Sequence, residues 1–166
     1  MTLDNAFLML QMCNVSAVVG VDAELDESWV NDVNETENVI VSQWREVSTN
    51  EQHELRDKVD EILRPLGFKT RLVVMSRANS IALYFICLTL SAVMSLRDHW
   101  HRQRLRRIVE ELFTLLYSAS REVVVKRLIW PLTDYERCMN FLRSVQGEEF
   151  SAHLIGLIGL STLTFE

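Results

Sequence analysis

The stretch from Phe68 to Leu90 most constrains what this chain can fold into. Two apolar runs, Leu72-Val73-Val74-Met75 and Ile81-Ala82-Leu83-Tyr84-Phe85-Ile86-Cys87-Leu88, flank the polar break Ser76-Arg77-Ala78-Asn79-Ser80. Short runs rich in β-branched and aromatic side chains around an Asn- and Ser-containing break predict an antiparallel hairpin. The second run is apolar at nearly every position, so both its faces must be covered, or it must lead straight into a buried helix. Ile81 to Leu96 is 16 residues without a charge, short of the roughly 20 that cross a bilayer. A buried strand running into a helix is the expectation.

The text on either side of the hairpin carries helical periods. Ser48 with Glu51, and Thr49 with Gln52, match the capping box, and Leu55, Val59, Ile62, Leu63 and Leu66 follow as one stripe closed by Pro65 and Gly67. This predicts a helix over 50–64. After the hairpin, Val93, Leu96, Trp100, Leu105, Ile108, Leu112, Leu115 and Leu116 keep to one face of a single long helix over 92–117, with arginines around the rest. Arg106 with Glu110 and Arg107 with Glu111 stand four apart, the spacing of helical ion pairs. Arg121 to Trp130 reads as a strand, and Thr133 with Glu136 opens a last helix whose stripe is Tyr135, Cys138, Leu142 and Val145, with Gly147 as the residue after it.

The N-terminal third has no such period. Ala6–Cys13 and Val15–Val21 are continuous apolar runs that fit strands or one buried helix; a strand is expected there. Asp22 to Glu37 reads as an acidic solvated arm, and Val39–Trp44 as a short strand. The fold class expected is therefore α+β: an antiparallel sheet of about four strands in βαββαβ order, with helices packed on one face. Residues 1–47 supply the N-terminal strand and acidic arm, 48–146 the core, and 147–166 a C-terminal docking segment, all in one compact domain.

Charge is unevenly spread. Residues 1–66 hold 14 acidic and 4 basic side chains, whereas 67–166 hold 9 and 13, against an overall net charge of −6. Complementary surfaces within one fold are the ordinary meaning of such asymmetry. Cys13, Cys87 and Cys138 are far apart in sequence and set in apolar text, which predicts buried reduced thiols and a cytoplasmic setting rather than a disulfide framework or metal site. The sequons at Asn14 and Asn34 bear on the argument only in a secreted chain.

Chemistry-bearing motifs are sparse. In Asp98-His99-Trp100-His101 the histidines are two apart, which on a helix points them away from each other rather than at one metal. Arg97, Arg102, Arg104, Arg106 and Arg107 form a basic helix face, and a ferredoxin-like binder of RNA or of a phosphorylated ligand is the alternative reading they support. A solvated face is the simpler one, because the chain is acidic overall and lacks the aromatic RNA-binding run. Nucleophile-elbow, phosphate-loop and dinucleotide signatures are missing from the sequence. No catalytic, cofactor-binding or metal residues are therefore expected, nor an enzyme, and composition disfavours nucleic acid and membrane as partners; oligomeric state is left open.

The run Leu132-Thr133-Asp134-Tyr135-Glu136-Arg137-Cys138-Met139-Asn140-Phe141-Leu142 resembles the end of the N-terminal domain family of the tumour-necrosis-factor-receptor death-domain adaptor, TRADD, where a D-x-E-R-C run opens the corresponding helix. The order of elements over 48–146 is similar to that family's. The resemblance implies an α+β sandwich without chemistry: a cytosolic adaptor that docks on the C-terminal domain of a TNF-receptor-associated factor in NF-κB and cell-death signalling. Arg77 and Asn79 at the hairpin tip, with the exposed arginines Arg102 and Arg106, are the expected partner-binding residues.

Overall fold

A computed structural model describes residues 12–20, 28–117 and 122–145. Strand β1 (Met12–Gly20) is followed by helices α1 (Ser28–Thr49) and α2 (Arg56–Leu63), the latter extended by a 3-10 turn at Arg64–Leu66. The hairpin β2 (Thr70–Arg77) and β3 (Ile81–Cys87) comes next, then helices α3 (Leu90–His101) and α4 (Arg104–Tyr117), strand β4 (Val124–Ile129) and helix α5 (Leu132–Val145). The four strands lie in the order β2-β3-β1-β4, every neighbouring pair antiparallel. This is the split βαβ arrangement, in which β3 lies between β1 and β2, and β1 lies between β3 and β4, so each helical crossover joins two strands with a third between them.

Alternation along the central strands decides which face meets the helices. Cys13, Val15 and Ala17 stand opposite Phe85, Leu83 and Ile81 and are wholly buried with them. These residues join Ile40, Trp44 and Val47 of α1, Val93 and Leu96 of α3, and Leu105, Leu112, Phe113 and Leu116 of α4 in a single core. Ala82 and Ile86 on the other face of β3 are also buried but lie outside that cluster. The apolar-throughout text of β3 is explained by this: every residue of the strand but Tyr84 is buried, on both faces, as a central strand requires. The expected α+β sheet with helices on one face is what the fold contains. Among the described residues, no helix is long and apolar enough to cross a membrane.

Four local expectations are corrected. The acidic arm and the short strand at Val39–Trp44 are instead helix α1, because Thr36, Glu37, Ile40, Val41, Trp44 and Val47 recur at a period near 3.6 and bury one stripe. Asp22 to Glu27, the start of that arm, lies outside the described residues, as do Ala6–Gln11, Ser118–Arg121, Gly147 and the C-terminal stretch from 146. The boundary drawn at residue 47 falls inside α1. The capping boxes at Ser48 and Thr49 do not form: both hydroxyls donate backward to Arg45 O, since they close α1 rather than open α2. Residues 50–55 turn between the two helices, and α2 starts at Arg56.

The long helix is two. Gln103 adopts φ 63°, a left-handed conformation, while the N–H groups of Arg102 and Gln103 return to Asp98 O and Trp100 O and close α3. Neither Arg106–Glu110 nor Arg107–Glu111 pairs among the described residues; Arg102 and Arg104 both bind Asp98 instead, at 3.1 and 2.7 Å. Helix α5 begins at Leu132, with Pro131 O accepting from Asp134 and Tyr135, so Thr133 is already inside the first turn and its box with Glu136 is not made.

The D-x-E-R-C run has a structural explanation in this fold. Strand β4 pairs with β1 only from Ser16 onward, leaving the start of β1 without a neighbour on that side. Helix α5 supplies side chains in its place: Asp134 Oδ2 accepts the Asn14 N–H at 2.9 Å, and Arg137 donates to Met12 O. Asp134 Oδ1 holds that guanidinium at 2.9 Å. Cys138, one residue on, is buried with its Sγ 3.0 Å from Cys13 Sγ.

All three cysteines are free and buried, as the sequence predicts, and the fold draws them together. Hydrogen bonds with Cys138 and Cys87, followed by burial, push the Cys13 thiol far above its ordinary range. The Cys87 thiol is shifted the other way, downward, chiefly by its hydrogen bond with Cys13, so what the three share is burial, which keeps a reagent from the sulfur. A disulfide-exchange dye should therefore label none of the three in native protein at neutral pH within minutes, and all three in denaturant; rapid native labelling of even one would contradict this packing.

Candidate functional site: the free edge at β2

A four-stranded open sheet has two edges, and here they are treated differently. On the outer side of β4, α4 caps the strand: Thr114 Oγ1 accepts the Val123 N–H at 3.2 Å and Glu110 Oε2 accepts the Val125 N–H at 2.9 Å. Lys126 and Arg127 add charge to the same edge, a common guard against strand addition. With Asp134 and Arg137 covering the start of β1, that whole side of the sheet is closed by side chains.

Among the described residues the β2 edge has no such cover. Thr70 N–H donates to Gly67 O at 3.4 Å, and beyond it no side chain bonds the outward backbone of residues 71–77 among the described residues. Leu88 N–H donates to Lys69 O at 2.9 Å, which sets the phase of the ladder. Hydrogen-bonded pairs alternate in an antiparallel ladder, so the backbone of Arg71 turns toward β3 and that of Leu72 turns outward. The pairing then shifts between Leu72 and Val74, a bulge at Val73.

Beside Thr70–Val73 runs an open groove of about 770 Å³ between α1, α2 and the edge. Its floor is apolar, with Trp44, Val47, Val59 and Leu66. Its rim carries Arg56, Arg64 and Arg71 against Glu51 and Asp60, and Asp60 already pairs with Arg56 at 3.7 Å. Among the described residues Arg64, Arg71 and the adjacent Lys69 make no ion pair, and neither does Glu51, so the rim carries a net positive excess. Phe68 follows Gly67, whose φ of 85° only glycine adopts without strain, and its ring stands 87% exposed. Val74, further along the strand, is 41% exposed.

The expected partner-binding residues do not gather at this groove. Arg77 is turned into the fold, donating to Asn34 and Asn38 of α1 and pairing with Glu37 at 2.9 Å. Asn79 is exposed at the hairpin turn. Arg102 is exposed but held by Asp98, and Arg106 is half-buried with its Nε lacking a partner. No hydrogen bond or ion pair connects the Arg77–Asn79 tip with Arg102 or Arg106 among the described residues. Sequence reasoning passed over Phe68, although a large apolar residue between Gly67 and Lys69, outside any stripe, was a signal that it does not serve the core.

Glu37 makes the Arg77 contact a testable one. It is 4% exposed, and burial raises its carboxyl above the ordinary value of 4.5 while Arg77 pulls it down less strongly. A raised folded value means that the protonated carboxyl favours folding: the contribution is fully present below 4.5 and is lost as pH rises through the folded value. Glu37→Gln removes this dependence. Denaturant midpoints of wild type relative to the variant should fall between about pH 4 and pH 7, because desolvation of a buried pair can exceed its attraction. A wild-type advantage that grows toward pH 7 would show that the pair stabilises the fold.

The basic helix face is largely neutralised or enclosed. Arg97 is stacked against Trp100, Trp130 and Tyr135, at 4.3, 5.1 and 5.0 Å from the ring centroids. His99 is half-buried, and burial, then Arg104, hold its pKa below the ordinary value, whereas Asp98 acts in the opposite direction. Among the described residues, no group of three His, Cys, Asp or Glu side chains is placed to hold a metal ion. Comparison with protein-family models, with curated proteins and with solved structures finds no match for this chain.

Proposed function

We propose that this chain is a protein-protein interaction domain, an adaptor module that docks a partner along the β2 edge. The observation that carries the reading is Phe68: an 87% exposed phenyl ring at the mouth of an apolar-floored groove, beside a strand whose outer backbone is unpaired over 71–77 among the described residues. Aromatic side chains and arginines over a dry floor are what interface centres are made of. The resemblance of Leu132–Leu142 to the TRADD N-terminal family supplies the partner to try first, the C-terminal domain of a TNF-receptor-associated factor. The ferredoxin-like RNA or phosphate reading has less behind it, since Arg102 and Arg104 share Asp98 and Arg97 is stacked between rings.

The test is retention of purified TNF-receptor-associated-factor C-terminal domains on immobilised wild type and on Phe68→Glu. Wild type should retain at least one such domain and Phe68→Glu should retain it at least tenfold less, with unchanged circular dichroism. Retention that ignores Phe68 removes the docking edge, and no retention by folded wild type removes the named partner.

A further inference from the structure

We infer that the β2 edge binds its partner by strand addition, and that the incoming segment is extended, acidic and apolar at alternate positions. The inference rests on the interaction-domain reading and specifies its chemistry. Three observations converge on it. The opposite side of the sheet is capped by Glu110, Thr114, Asp134 and Arg137, whereas among the described residues β2 presents outward backbone groups at Leu72 with no acceptor or donor of their own. Space is present: the groove of about 770 Å³ runs along Thr70–Val73 itself, within the 300–1,000 Å³ of typical ligand sites. Charge is complementary in net, because among the described residues Arg64, Arg71 and Lys69 lack carboxylate partners and outnumber the one unpaired rim carboxylate, Glu51.

Strand addition follows from these groups. Main-chain hydrogen bonds to Leu72 give the docking direction, and alternate side chains of the segment point to opposite faces of the extended sheet. One set enters the groove over Trp44 and Leu66; the other lies on the far face near Val74. Acidic residues flanking the apolar set reach Arg64 and Arg71. The bulge at Val73 ends the regular ladder, so the paired stretch is short, about three to five residues.

The experiment is a selection of random twelve-residue peptides displayed on phage against the intact chain, followed by affinity measurements on synthetic winners. Winners should be acidic with apolar residues two apart. N-methylation of alternate amides in one phase should weaken binding at least tenfold, and in the other phase less than threefold, because only one phase faces β2. Arg71→Glu should cost at least fivefold and leave the fold intact. Winners with apolar residues three and four apart, basic winners, or indifference to N-methylation in both phases would overturn strand addition. Those results would leave the interaction-domain reading standing if Phe68→Glu still abolished their binding. A chain that yields no winners and retains no partner domain loses both. Self-association abolished by Arg71→Glu would assign the edge to a second copy and overturn the acidic-segment proposal.

Discussion

Asp134→Ala should lower the stability of the fold by about 3 kcal/mol, because one carboxylate serves three donors, and two of them, the Asn14 amide and the Trp130 indole, have no other acceptor among the described residues. Its Oδ2 accepts from the Asn14 amide and from Trp130 Nε1, each at 2.9 Å, and its Oδ1 holds Arg137. Truncation leaves a strand amide and an indole N–H without their acceptor, each costing about 1–3 kcal/mol when fully dry. The side chain is 17% exposed, so water reaches part of the gap and the sum falls short of the upper limit. Asp134→Asn keeps one acceptor but turns an amide NH₂ toward Arg137, and about half the loss is expected. For a chain of this size the alanine variant should melt on the order of 10 °C lower. Urea titration followed by Trp fluorescence measures both; a loss under about 1 kcal/mol for Asp134→Ala would mean that α5 does not hold the start of β1.

Arg97→Ala is the second large effect, also about 3 kcal/mol. The guanidinium lies over Trp100, Trp130 and Tyr135 and donates to Trp130 O at 2.8 Å. Trp100 in turn donates through Nε1 to Leu128 O at 2.9 Å. One side chain thus joins α3, the end of β4 and the first turn of α5. Each ring contact contributes roughly 0.5–2 kcal/mol depending on its desolvation, and the three are not additive because they share one cation. Burial lowers the Arg97 pKa from its ordinary value, with Tyr135 opposing, and the charge persists at neutral pH. Arg97→Lys keeps the charge without the planar stack and should recover less than half. Arg97→Met, which fills the space without a cation, separates packing from cation–π attraction. If Met matches Arg in urea titration, the rings were held by volume alone.

The tetrapeptide Asp98-His99-Trp100-His101, which the eye takes for a ligand set, is the last turn of α3. Asp98 collects Arg102 and Arg104, and Trp100 reaches β4. The D-x-E-R-C run behaves similarly: Asp134, Arg137 and Cys138 all fasten α5 to β1.

Local pattern was enough for the hairpin, the strand at β4, the helical stripe of α5 and the buried state of all three cysteines, since each is written in residues next to one another. The α+β class followed from their order. Helix α1 was also present in the text, as the period of Ile40, Trp44 and Val47, but an acidic and Asn-rich start masked it. Tertiary structure alone decided the rest. Whether Arg77 faces a partner or Glu37 depends on where α1 lies across the sheet, and which edge stays bare depends on side chains from α4 and α5 that are distant in sequence from the strands they cap. The physical reason is that a strand's free backbone groups are identical in every sequence; only the arrangement of the whole chain determines which of them are left to bind something else.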